Sequence, residues 1–328
     1  MSNKNVVIEA NANFHHAKGE NLFNKTDGRF VEYREKWKKW PKDFHVGEFP
    51  LFIDIEVTSV CNLKCPFCAT TYRGDLIDRG YISFDRVKKV VDEGADKNLY
   101  GIKFNIRGEP LLHKEIHKFV DYAKKKGLID VYFNTNALLL KDEMARKLID
   151  AGLDRISIST EGFTKEVYEK HRVGGKFEKF LKNIENLNNL KEKLGVKHPK
   201  IRIQTVMLEE IKPIFADYKA FWSHYADEVA YLDFKEMNSK HKNIQFAWAC
   251  PQIWQRMALW WDGAILPCNH DDDGSLKLGN INDMSIQEAW QSKELNEIRE
   301  HHKSGLSHEI TACDGCYLRD SEIAKISS

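Results

Sequence analysis

The chain has 328 residues, 42% hydrophobic and 30% charged, a composition suited to a globular fold with a large core in one or two domains. Its 50 Lys and Arg nearly cancel its 49 Asp and Glu, and a net charge of +1 excludes the basic surplus of a nucleic-acid partner. No apolar run approaches the ~20 residues of a membrane span, and the start, MSNKNVVIEANANF, lacks the apolar stretch of a secretory signal, so a cytoplasmic protein is expected.

Residues 1–50 form an N-terminal extension, expected to be irregular apart from one helix near "FVEYREKWKKW". From residue 51 strands and helices alternate. Strands are predicted over 51–58, 101–107, 130–135, 155–160, 200–207 and 229–235, and helices over 83–97, 113–126, 140–151, 164–171, 176–195 and 214–225. In helix 113–126, Ile116, Phe119, Val120 and Ala123 recur at helical spacing, and Gly127 can supply the left-handed stop. This alternation implies parallel strands with crossover helices outside. The fold class is therefore α/β, a partial (β/α)6 barrel over 51–240 followed by a smaller unit over 241–328.

The strands carry a second signal. A parallel strand buried on both faces reads as an unbroken apolar run, and these do not. Asp54 and Glu56 alternate with Ile53 and Ile55, Lys103 and Asn105 with Ile102 and Phe104, and Ser157 and Ser159 with Ile156 and Ile158. Arg202 and Gln204 alternate with Ile201 and Ile203, and Asp233 and Lys235 with Leu232 and Phe234. With the apolar face against the helices, the polar face lines the lumen, which suits a polar small-molecule substrate. The last unit differs: a hairpin with its tip at Trp261-Asp262-Gly263, a helix near 285–302 and a Cys-Asp-Gly-Cys loop at 313–316. Asn269–Gly274 (NHDDDG) is expected to be a solvated loop, the His15–His16 and His301–His302 pairs surface residues, and Trp260 and Trp261 packing between hairpin and barrel.

Seven cysteines fall into a group of three, Cys61, Cys65 and Cys68, and a group of four, Cys250, Cys268, Cys313 and Cys316. In a reducing compartment, clustered thiolates signify zinc, an iron–sulfur cluster or a redox pair rather than structural disulfides. A 4Fe–4S cluster takes one ligand per iron, so three cysteines leave one iron open to a substrate or cofactor.

The Cys-x3-Cys-x-aromatic-Cys loop (Cys61, Cys65, Phe67, Cys68) after the first barrel strand resembles the signature of the radical S-adenosylmethionine (radical SAM) enzymes. In that family SAM chelates the open iron and is cleaved to a 5′-deoxyadenosyl radical. Further matches follow in order. "RGEP" (Arg107–Pro110) resembles the Gly-Glu-Pro motif, which implies that Glu109 accepts the SAM ammonium. "STEG" (Ser159–Gly162) resembles Ser-x-Asp-Gly, implicating Ser159 and Glu161 at the ribose. Asn136 and Gln204 are candidates for ribose or carboxylate contacts, and Arg172 for the SAM carboxylate. The four later cysteines, with Gly263 between the first two and 44 residues before the Cys-x2-Cys pair, resemble the twitch domain. This shortened SPASM extension implies a fully ligated auxiliary 4Fe–4S cluster.

No cysteine remains to return a hydrogen atom to a substrate radical, which favours loss of an electron and oxidation of an alcohol to a ketone. The spacing is most similar to the 2-deoxy-scyllo-inosamine dehydrogenases, which implies a sugar or aminocyclitol carbinol as substrate, and flavodoxin or ferredoxin as reductant. Asp233, Lys235 and Glu236 end the sixth strand and are placed to meet a substrate, with Lys235 or Asp233 the candidate for the base that takes the hydroxyl proton. The alternatives are a peptide-modifying maturase and a redox-neutral sugar epimerase or dehydratase.

Overall fold

The six predicted parallel strands lie side by side in chain order at the centre of one ten-stranded sheet. The computed structural model describes residues 14–23, 26–234, 245, 248 and 250–327, with backbone alone over 324–327. After the N-terminal strand β1 (Phe14–Gly19) come β2 (Phe52–Ile55), β3 (Gly101–Lys103), β4 (Asp130–Thr135), β5 (Arg155–Ser159), β6 (Lys200–Met207) and β7 (Glu228–Asp233). The hairpin of β8 (Arg256–Leu259) and β9 (Ala264–Leu266), with the short β10 (Gly279–Asn280), extends the sheet beyond β2.

The apolar face of each strand meets the crossover helices as the alternation requires. Ile53, Ile102, Phe133, Ile156 and Ile203 are buried together with Val87 and Val90 of helix Phe84–Asp96, Phe119 of helix Ile116–Lys125 and Phe180 of helix Phe177–Leu194. Each such side chain contributes ~1.5–3 kcal/mol by leaving water. The expected strand 101–107 stops at Lys103, because the chain turns out of the sheet into the Gly-Glu-Pro segment.

Two expectations need correction. Part of the extension is regular: β1 pairs antiparallel with β7, with His15 opposite Tyr231. His15 and His16 are therefore not plain surface residues; His15 Nε2 lies 3.0 Å from Asp233 Oδ2 and His16 Nδ1 2.9 Å from the buried Glu228. The second correction is the phase of β7. Leu232 lines the lumen, whereas Tyr231 packs its ring on Phe215 of the outer helix Phe215–Trp222. Successive residues of a strand face opposite sides, so Asp233 shares the outer face with Tyr231. Glu228 is the inward acid of this strand, and it lies one residue before the predicted start.

Helix Gly28–Lys42 closes the N-terminal end of the barrel. Asp27 caps it by accepting from Phe30 N at 3.0 Å. Its Tyr33 stacks on Tyr100 with ring centroids 5.1 Å apart, and Trp37 meets Phe52 edge-on at 6.0 Å. On the far side β8 pairs parallel with β2 over four residues, so the C-terminal unit is bonded directly to the first barrel strand. Gly263 makes the β8–β9 turn at φ +96°, in the left-handed region that glycine occupies without steric cost. Trp260 and Trp261 do pack against the barrel: the Arg107 guanidinium lies 3.8 Å above the Trp260 ring, and Trp261 Nε1 donates to Asp78 O at 3.1 Å. The helix expected near 285–302 is two helices, Ile286–Trp290 and Lys293–Lys303, because Ser292 caps a second start by accepting from Leu295 N. His302 on that second helix is buried against Trp248, another departure from a surface assignment. No helix among the described residues is long and apolar enough to cross a membrane.

Candidate active site

The three-cysteine loop sits beyond the C-terminal end of β2, pinned at its base. Thr58 Oγ1 donates to Gly80 O at 2.7 Å, and Ser59 Oγ donates to Asp78 O at 2.7 Å. Gly108 of the Gly-Glu-Pro segment crosses this base at φ +69°, where a Cβ would lie 2.2 Å from Thr58 O. The close crossing lets Glu109 N donate to Val60 O at 2.8 Å, which places Glu109 beside the cysteines.

Glu109 is buried and held on three sides. Oε1 accepts from Leu111 N at 3.1 Å and Thr135 Oγ1 at 2.6 Å, and Oε2 accepts from Asn136 N at 2.8 Å. Burial pushes its carboxyl above the ordinary value in spite of these donors. Such a carboxylate gains from a cation brought to its remaining lone pair. Thr135 was not singled out in the sequence, nor was Asn62, whose Oδ1 accepts from Asn136 Nδ2 at 2.8 Å. Neither carries a motif signal; they act through backbone placement at the ends of neighbouring segments.

One pocket at this end of the barrel is lined by Cys61, Cys65, Cys68 and Phe67, and also by Glu109, Asn136, Ser159 and Arg172. The structure thus brings together all but two of the residues expected around the cofactor. Glu161 is fully buried and spent on Arg172, with Nε 2.5 Å from Oε2 and Nη2 3.0 Å from Oε1. Arg172 also points Nη1 at Cys65 Sγ, 3.8 Å away, and its guanidinium lies 5.7 Å from the Phe67 ring centre. Burial opposes the Arg172 charge, but Glu161 and Cys65 more than offset it and hold the guanidinium above its ordinary value. Gln204 borders a second cavity below instead. Asn134 lines both spaces.

The Glu161–Arg172 pair gives a stability prediction. Glu161→Ala leaves the guanidinium buried without its counter-charge, an expected loss of about 3–5 kcal/mol in denaturant unfolding. A loss below about 1 kcal/mol, the range of an exposed pair, would show that the pair is dispensable.

The lumen below is less open than the alternation implied. Lys103 and Arg256 both reach Asp54, at 2.8 and 3.3 Å, and Arg107 holds Glu56 at 2.6 and 2.9 Å. The NHDDDG segment docks on it rather than lying in solvent. Asn269 Nδ2 donates to Asp54 at 2.9 Å, Asp271 is buried and accepts from Leu276 N at 2.7 Å, and Arg73 pairs with Asp273. A cavity remains between the barrel and the C-terminal unit. Asp233 faces away from it, and Lys235 and Glu236 lie outside the described residues.

The four later cysteines converge from separate segments. Cys250 precedes the short helix Gln252–Gln255, Cys268 follows β9, and Cys313 and Cys316 close one turn in which Cys316 N donates to Cys313 O at 3.1 Å. Burial, then the other three sulfurs, pushes the Cys250 thiol well up; burial, then Cys316, Cys268 and Asp271, pushes Cys313 well up. In the first group, burial pushes Cys61 up to about 12. These donor sets fit iron–sulfur clusters.

Comparison with known proteins agrees with this geometry. Residues 55–203 match the radical SAM superfamily, and residues 250–317 match the SPASM iron–sulfur cluster-binding domain. A probable GTP 3′,8-cyclase of Methanococcus maripaludis is 35% identical over 132 residues, 40% of this chain and 43% of that protein. The chain thus matches less than half the length of that relative. A GTP 3′,8-cyclase of Aliarcobacter butzleri is 25% identical over 322 residues, covering 83% of this chain and 94% of that one. Among solved structures, BtrN in complex with AdoMet and 2-DOIA superposes with a TM-score of 0.57 at 18% identity, covering 83% of this chain and 94% of BtrN, a likeness of fold. Barrel, motifs and both cysteine groups agree with a radical SAM domain over residues 55–203 and a SPASM iron–sulfur cluster-binding domain over residues 250–317, domains that imply 4Fe–4S clusters and S-adenosylmethionine as cofactors.

Proposed function

We propose that this chain is a radical SAM dehydrogenase that oxidises a carbinol of a sugar or aminocyclitol to a ketone, a reaction most like that of 2-deoxy-scyllo-inosamine dehydrogenase. With clusters and SAM bound, the cofactors supply a 5′-deoxyadenosyl radical for hydrogen abstraction and an acceptor for the second electron. The balance is one hydrogen atom, one proton and one electron removed from the carbinol. The observation that carries this reading is the thiol inventory: seven cysteines in groups of three and four leave no eighth to give hydrogen back.

The residues divide the work. Cys61, Cys65 and Cys68 hold the SAM cluster, and Cys250, Cys268, Cys313 and Cys316 the auxiliary one. Glu109, desolvated and with a spare lone pair, binds the SAM ammonium; Asn136 and Ser159 face the ribose. Phe67 and Arg172 flank the carboxylate end, with Glu161 fixing the Arg172 guanidinium. Gln204 belongs to the substrate side of the lumen. Asp233 is withdrawn because it faces outward, and Lys235, which follows the end of β7 and lies outside the described residues, is kept as the proposed base for the hydroxyl proton. A low-potential flavodoxin or ferredoxin is the proposed reductant.

A second reading follows from the curated relatives, which are GTP 3′,8-cyclases. One experiment separates the two. Anaerobic reconstitution should give about eight irons per chain if both sites hold cubane clusters. SAM and dithionite are then supplied with a panel of polyols, or with GTP. One 5′-deoxyadenosine per ketone supports oxidation. A cyclised nucleotide, or an epimerised polyol carrying solvent deuterium, overturns it.

A further inference from the structure

The cavity below the SAM pocket has a cationic wall. Arg34, Lys103, Arg155, Arg202 and Arg256 line it, and no Asp or Glu does among the described residues. The acids that balance this wall stand behind it. Asp54 takes Lys103 and Arg256, Asp130 takes Arg155 Nε and Nη2 at 3.0 and 3.1 Å, and Glu228 takes Arg202 Nε at 2.6 Å. Among the described residues three carboxylates thus stand behind five cations.

Arg155 and Arg202 stand on neighbouring strands, 2% and 3% exposed. Their guanidinium faces are covered: Arg155 lies 3.3 Å over the Tyr132 ring, Arg202 lies 4.4 Å over Phe14, and both reach Phe23. Stacking on a ring leaves only the guanidinium edge for hydrogen bonds. On that edge Arg155 Nη1 and Arg202 Nη2 have no hydrogen-bond partner, nor has Ser157 Oγ, whose residue is the register partner of Arg202. A buried donor without an acceptor is destabilising, the more so when charged. The two like charges also compete, since burial and then Arg155 push Arg202 down to about 10. Both costs are relieved by one incoming acceptor of negative charge.

We infer that the floor of this lumen is an oxyanion site, in which the edges of Arg155 and Arg202 hold a phosphate group of the substrate. The inference rests on the reading of the lumen as the substrate site and narrows the substrate class to a phosphorylated polyol or nucleotide. Phosphate rather than carboxylate follows from the donors. Arg155 and Ser157 of β5 and Arg202 of β6 bring two guanidinium edges and a hydroxyl from two neighbouring strands, and phosphate offers three oxygens.

The test is equilibrium binding of inorganic phosphate to the full, cluster-loaded protein without SAM, by calorimetry, against chloride at matched ionic strength. Saturable binding is expected. Arg202→Lys keeps the charge beside Glu228 but loses the second donor, and it should weaken phosphate at least tenfold while cleaving SAM as before. Tighter binding of acetate than of phosphate overturns the phosphate assignment, and absence of saturable binding by the wild-type protein overturns the site. Either result leaves carbinol oxidation standing, because that reaction is read from ketone formation with neutral polyols. Comparing a hexose phosphate with GTP as competitors distinguishes the two phosphorylated classes.

Discussion

Cys65→Ala is expected to abolish SAM cleavage while leaving the chain folded and its auxiliary iron in place. Cys65 is the buried member of its group, 6% exposed, with Arg172 Nη1 3.8 Å from its sulfur. Removing one thiolate from a set of three leaves two protein ligands for a cube of four irons, too few to retain it. Iron should therefore fall from about eight to about four per chain, one cubane's worth. 5′-Deoxyadenosine formation should drop at least ~1,000-fold, a rise of about 4 kcal/mol in barrier. The fold itself loses one sulfur from a site at the edge of the core, a small cavity term of about 1 kcal/mol. The measurement is iron per chain, 5′-deoxyadenosine by chromatography and the far-ultraviolet circular dichroism of the same sample. SAM cleavage at the wild-type rate would remove Cys65 from the ligand set and end the assignment of this loop.

Much of this site was legible because its chemistry is local in sequence. Cys61, Cys65, Phe67 and Cys68 lie within one loop, and that loop meets Glu109 because one glycine permits the crossing at Thr58. The six parallel strands were legible for a similar reason, since period-two alternation and 3.6-residue periodicity each act within a few residues. What stayed hidden depends on partners far apart in the chain. Glu161 and Arg172 are each plausible cofactor contacts when taken alone, and only the fold shows that they neutralise each other. Likewise β1 has no strand pattern of its own; its regularity comes from the free edge of β7.

The error at Asp233 has a different origin. Alternation fixes which residues share a face but not which face is inward. In β7 both phases offer an acid, Glu228 in one and Asp233 in the other. Arg202 decides between them, because a buried guanidinium on β6 needs a carboxylate at its register partner. The inward acid is therefore used structurally, and the outward one joins His15. The polar lumen was likewise foreseen as a feature but not in its sign. Its acids are drawn behind its bases, and the exposed edge is left cationic.

The double variant Cys313→Ala/Cys316→Ala is expected to separate the two halves of the reaction, with SAM cleavage retained and ketone formation lost. Hydrogen abstraction depends on the pocket at Cys61, Cys65 and Cys68, which shares no residue with the later cysteines. The barrel also keeps its edge in the variant, because β8 remains paired with β2 from Phe52 to Ile55. The lost function is the exit of the second electron. A carbinol radical facing no acceptor is quenched by a hydrogen atom from an external thiol reductant, whose S–H exchanges with the solvent, so 5′-deoxyadenosine should accumulate in more than ~10-fold excess over ketone, a barrier difference of about 1.4 kcal/mol between the competing exits. Cys250→Ala should give the same ratio, since Cys250 is held in the same group of four sulfurs. The checking measurement is 5′-deoxyadenosine against ketone in single samples run in deuterated water. Ketone formed in equal yield by both variants would reduce the auxiliary site to a brace for the fold. Deuterium at the carbinol carbon of recovered wild-type product would place the reaction among the redox-neutral epimerisations instead.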